Sequence, residues 1–96
     1  MSHIKARVVA LGELIDELKN AETIFERAAI FAAARALIND LNDEERLNGY
    51  AKEKLHDIRW HIGAALGFDE TNGQTLEQHR VWALGYFNTL QSESED

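Results

Sequence analysis

The stretch from Ile24 to Leu41, IFERAAIFAAARALINDL, constrains this chain more than any other. At about 100° per residue its apolar side chains cover nearly the whole circumference of a helix. Ile24, Phe31 and Ile38 form one bulky row, and Ile30, Leu37 and Leu41 form a second. Ala28, Ala32 and Ala36 make a thin third row with Phe25 and Ala29 beside it, and only Glu22, Glu26 and Asp40 mark a polar slice. A helix apolar on most sides is buried on most sides. The pattern therefore predicts a central helix that the rest of the chain surrounds.

The flanking segments supply helices to do so. Ile4, Val8, Leu11, Ile15 and Leu18 recur at spacings of four and three, which predicts a first helix over 2–19 with one core stripe. Asn20 or Thr23 opens the second helix, Thr23 with Glu26 forming a capping box. Asn42 with Glu45 reads as the start of a third helix running to about Leu66, with Leu47, Ala51, Leu55, Ile58, Ile62 and Ala65 as its stripe. Gly67 is suited to a left-handed terminator with Phe68 folding back, and Asn72-Gly73 marks a turn in the 67–74 loop. Thr75 with Gln78 opens a fourth helix over 76–90, with Leu76, Ala83, Phe87 and Leu90 facing the core. The chain has no proline to interrupt these helices. The expected fold is all-α: a four-helix up-down bundle with a largely buried, Ala-rich second helix, residues 1–91 forming one domain and 92–96 a frayed acidic tail.

Charge and composition narrow the function. Seventeen acids against ten dispersed bases give a net charge of −7, with no basic stripe to neutralise phosphates, so direct nucleic-acid binding is not expected. There is no cysteine, hence no disulfide framework, no thiolate nucleophile and no cysteine-based zinc site, and the cytoplasm is the simplest location. The opening MSHIKARVVALGELIDE is broken by Glu13 and Asp16 and does not read as a secretory signal. No apolar segment approaches the length of a membrane span.

Catalytic chemistry finds little support. Glu13, Asp16 and Glu17 on helix one, with Glu22 and Glu26 on helix two, are the right residue types for magnesium, as in all-α nucleotide pyrophosphohydrolases. No second compact acidic motif faces them. Glu53-x-x-His56 has di-iron spacing but lacks a second pair, and Asp57 with His61 offers only two ligands. The histidines, His3, His56, His61 and His79, form no cluster in sequence. The loop GFDETNGQ fails as a calcium site because its glycine offset is wrong and the terminal glutamate is missing. No cofactor is expected.

Two features point to association instead. Trp60 and Ala64 on helix three, and Trp82 and Tyr86 on helix four, lie off the predicted core stripes, and Gly63, Ala64 and Gly67 would admit a close neighbour. With Asp69 and Glu70 from an acidic pole of the bundle, these form the expected partner-binding set, including a homodimer contact through the aromatics; the alternative is that a small bundle packs irregularly and buries the aromatics within one chain. Arg35 falls within the apolar sector of helix two, so either its stem packs while its head reaches the edge, or it forms a buried ion pair with Asp57 or Glu13. The reading that follows is a small acidic non-enzymatic binding protein, an inhibitor or adaptor for a basic partner. It resembles nucleic-acid-mimicking inhibitors of the kind bacteriophages carry in size and charge alone. The alternatives are a magnesium-dependent hydrolase built on Glu13, Asp16, Glu17, Glu22 and Glu26, or a structural subunit whose apolar second helix completes a larger assembly.

Overall fold

The stripe Ile4, Val8, Leu11, Ile15 and Leu18 is buried along its whole length, as its spacing requires. It belongs to α1, His3–Glu17, which tightens into a 3-10 turn over Leu18–Asn20. The remaining helices are α2 (Ile24–Asn42), α3 (Gly49–Ala65) and α4 (Leu76–Glu93). The structure is a computed structural model that describes residues 3–93, with His3 and Glu93 described through the backbone alone. No strand occurs among the described residues. Most of the expected acidic tail lies outside them, and α4 itself continues to Glu93.

Each helix packs on its sequence neighbours, and α1 closes the ring against α4. Arg7 near the start of α1 approaches Asp40 and Glu44 near the end of α2, at 4.0 and 3.9 Å, so these helices run antiparallel. A bond between His61, late in α3, and His79, early in α4, sets the same relation there. This is the up-down bundle expected from the sequence.

Local signals fix most of the boundaries. Thr23 caps α2 in a complete box: its side chain accepts from the Glu26 amide at 3.1 Å, and the Glu26 carboxylate accepts from the Thr23 amide at 3.0 Å. These bonds hold the Glu26 carboxyl below its usual pKa. At the end of α3, Gly67 takes φ +86°, the Phe68 amide donates to Gly63 at 2.8 Å and the Gly67 amide to Ala64 at 3.1 Å. That pairing is a Schellman motif, and it turns Phe68 onto Phe31 of α2, ring centroids 5.2 Å apart.

Besides the longer α4, the start of α3 differs from expectation. The third helix begins at Gly49, capped by Asn48, whose side chain accepts from Ala51 at 2.8 Å. Asn42 and Glu45 form no box, and α2 runs on through Asn42. A glycine inside a helix costs about 1 kcal/mol relative to alanine. Starting the helix at Gly49 avoids that cost, and the intervening turn is anchored by buried Leu47.

The larger correction concerns the centre of the bundle. Only Ala34, Ile38 and Leu41 of α2 are buried, whereas α3 buries Ala51, Leu55, Ile58, His61, Ile62, Gly63 and Ala64. The central helix is therefore α3, which packs most extensively against α4. Phe25 is 85% exposed and Ile24 59%, and Ala28, Ala29, Ala32, Ala33 and Ala36 all face outward. The alanine rows of α2 do not demand cover. Alanine is the best helix former and buries little surface, so an alanine face is compatible with solvent.

Close packing of α1 on α4 depends on Gly12, where an added Cβ would lie 2.5 Å from the Cζ atom of the buried Phe87 ring. Gly12→Ala is expected to lower stability by about 1 kcal/mol in urea unfolding, the overpacking cost exceeding the gain in helix propensity.

Candidate functional site

The off-core aromatics are brought together, but around a feature that the sequence did not advertise. His61 and His79 meet Nδ1 to Nδ1 at 2.9 Å, and His79 Nε2 lies 2.8 Å from the Thr71 carbonyl oxygen. His79 is wholly buried and His61 nearly so. Trp60 packs edge-on to both rings, at 4.6 and 5.2 Å between centroids. Trp82 meets both at 5.4 Å, and Tyr86 stacks on His61 at 5.4 Å with the planes 12° apart. Lys54 lies over the rings of Tyr50 and Tyr86 and is 4.0 Å from Asp57.

The expected partner-binding set is thereby divided. Ala64 has no accessible surface and serves intrachain packing, whereas Trp60 and Tyr86 are half-buried against the imidazoles and keep part of their surface. Trp82 keeps 37% of its surface, and Asp69 and Glu70 are exposed in the 67–74 loop. The close approach expected at Gly63 is made by Asp69 of the same chain, whose carboxylate occupies the space a side chain would need.

The buried ion pair does not form. Arg35 is exposed and stands over the face of Phe31, 5.5 Å from its centroid, while Asp57 is half-buried beside Lys54. A long guanidinium stem laid on an aromatic ring leaves the charge hydrated, which costs far less than burying it.

Nor do the acids gather. Among the described residues no three His, Asp or Glu side chains are placed to hold a metal ion. Of the five acids considered for magnesium, Asp16 pairs with Lys19 at 3.1 Å and Glu26 is committed to its capping box. Glu13, Glu17 and Glu22 are exposed.

Two of those acids border a different feature. A groove of about 550 Å³ runs between α1 and α2, lined by Ala10, Leu14, Ala33, Ala36 and Leu37 with Glu13 and Glu17 on its α1 edge. On α2 the groove is lined by Ala33, Ala36 and Leu37 alone. The exposed Phe25 and Ala29 extend the apolar surface outward from α2. Arg7 approaches Asp40 of α2 at 4.0 Å.

Compared with protein-family models, with curated proteins and with solved structures, the chain matches none. No helix among the described residues is long and apolar enough to cross a membrane.

Proposed function

We propose that this chain is a small non-enzymatic binding protein of the cytoplasm that docks a basic amphipathic helix of another protein in the α1–α2 groove. The observation that carries this reading is the combination of an apolar floor with two exposed acids, Glu13 and Glu17, along its α1 edge. An amphipathic helix laid in such a groove places its apolar stripe on Leu14, Leu37 and the alanines. Lysine or arginine on its flanks then meets Glu13 and Glu17. Burial of the floor supplies affinity, and the charged edge sets orientation and association rate.

Charge favours such a partner over a second copy of the chain. Two copies meeting groove to groove bring like-charged rims together, and each protomer carries −7. A basic helix held in the groove is withheld from its other ligands, nucleic acid included, so inhibition is the simplest consequence of binding.

The test is titration of a helical peptide with a leucine stripe flanked by lysines. Affinity is expected to fall several-fold from about 0.1 M to about 1 M salt, as the screening length drops from about 10 Å to about 3 Å. Binding is expected to persist through the apolar floor. Replacing both Glu13 and Glu17 with glutamine is expected to flatten the salt dependence. Absence of binding, or affinity indifferent to salt in the unmodified chain, would reject the reading. A stable homodimer closed through the groove would instead support self-association, and magnesium-dependent nucleotide hydrolysis abolished by Glu13→Ala would support the enzyme.

A further inference from the structure

We propose that the His61–His79 pair is an acid-sensitive latch that holds the Gly67–Thr75 connection and the start of α4 against α3, closed while the pair carries at most one positive charge and opened when both rings are charged. This inference is independent of the groove and of its occupant.

Donor and acceptor roles fix the mechanism. The Thr71 carbonyl only accepts, so His79 Nε2 carries a proton and donates to it. A neutral His79 then presents a bare Nδ1, which accepts from His61 Nδ1–H. The second nitrogen of His61, Nε2, is the one position open to an incoming proton. A proton arriving there charges His61 and leaves its Nδ1–H bond to His79 intact. A second proton must go to His79 Nδ1, which turns the acceptor into a donor and sets two N–H groups and two positive charges against each other. The pair therefore tolerates one proton and breaks on the second.

The surroundings raise the cost of charge. From α3, Trp60 covers both rings; from α4, Trp82 meets both and Tyr86 stacks on His61. Burial is the main cause that pushes His61 below its ordinary pKa of 6.5, with the charge of His79 acting in the same direction and Asp57 of α3 opposing both. Lys54 of α3 stands over Tyr86 and adds a nearby cation. On α4, Arg80 is paired with Glu77 at 2.9 Å, and Asp16 of α1 and Lys19 of the 3-10 turn that follows it act electrostatically on that pair. The connection itself contributes Asp69 and Glu70, both exposed. Asp57 is thus the acid facing the pair, from one side, within a mainly apolar enclosure.

The sign follows directly. The open pair takes up two protons and the closed pair only one, so the open state binds more protons and is favoured as pH falls. The affected backbone is also defined. The Thr71 carbonyl accepts from the Gln74 amide at 3.1 Å as well as from His79, and the amides of Gln78 and His79 are tied to Thr75 at 3.0 and 3.2 Å. Opening the pair releases this turn and the first turn of α4.

Both tryptophans of the chain touch the pair, so their fluorescence reports its charge without a label. Between pH 7.5 and pH 5 the intact protein is expected to lose tryptophan emission through quenching by imidazolium. The amides of Gln74, Gln78 and His79 are expected to lose hydrogen-exchange protection, corrected for intrinsic rate, while α1 amides such as Leu11 keep theirs. His61→Asn supplies a second arm. An asparagine amide offers either a donor or an acceptor to His79, so it satisfies both protonation states, and the acid-induced loss of protection is expected to disappear. Unchanged protection at Gln74, Gln78 and His79 in the unmodified protein would overturn the latch. The same loss in His61→Asn would overturn it equally. Should that variant fail to fold, the exchange comparison in the unmodified protein decides alone.

Discussion

Ile58→Ala is expected to lower the unfolding free energy by about 2–5 kcal/mol in urea denaturation, and Phe25→Ala to change it by no more than about 0.5 kcal/mol. The contrast follows from position. Ile58 has no accessible surface and sits on the face of α3 that fills the bundle, between Leu55 and Ile62. Truncation there removes apolar contacts and leaves a cavity that helices held by short connections cannot close. A domain of this length has about 5–14 kcal/mol in total, so the loss is a large fraction of it. Phe25 is the larger side chain, yet it is 85% exposed and gives up almost no buried area. Were α2 the buried centre, the order of these two effects would reverse.

The sequence made the helices legible because their signals are local and mutually consistent. The α1 stripe, the capping box at Thr23, the glycine terminator at Gly67 and the cap at Thr75 each depend on residues within one or two turns. What failed was the inference of burial from apolar character where alanine supplied that character. Ile38 and Leu41 are buried in α2 as their bulk requires, but the alanine row beside them records helix propensity rather than contact.

The histidine pair had a signal that went unused. His79 stands four residues before Ala83 and eight before Phe87, both buried, so it lies on the core stripe of α4 in the place assigned to Leu76. Leu76 is 44% exposed instead. His61 adjoins Ile62 and follows Ile58 by three, again on the inner side of its helix. Periodicity thus placed each histidine inward. That the two meet depends on the relative rotation of α3 and α4, which no single-helix pattern specifies. The groove was illegible for the same reason, being a property of how α1 and α2 sit together and of what fails to cover them.

The second large effect is expected on binding. Ala33 lines the groove floor and is exposed, so Ala33→Glu leaves folding nearly unchanged but forces a carboxylate against the apolar stripe of a docked helix. Desolvating that charge without a partner at the centre of the contact is expected to cost about 2 kcal/mol or more, roughly thirty-fold in affinity for the lysine–leucine peptide. Ala28→Glu places the same charge on the same helix outside the groove lining and is expected to leave affinity nearly unchanged.

Chemical-shift mapping of the isotopically labelled protein during titration with that peptide locates the contact directly. Perturbations confined to Ala10, Leu14, Ala33, Ala36 and Leu37, and lost in Ala33→Glu, are the expected result. Perturbations centred on Trp60, Trp82 and Tyr86, or none above the affinity of an unrelated peptide, would contradict a binding surface on the α1–α2 groove.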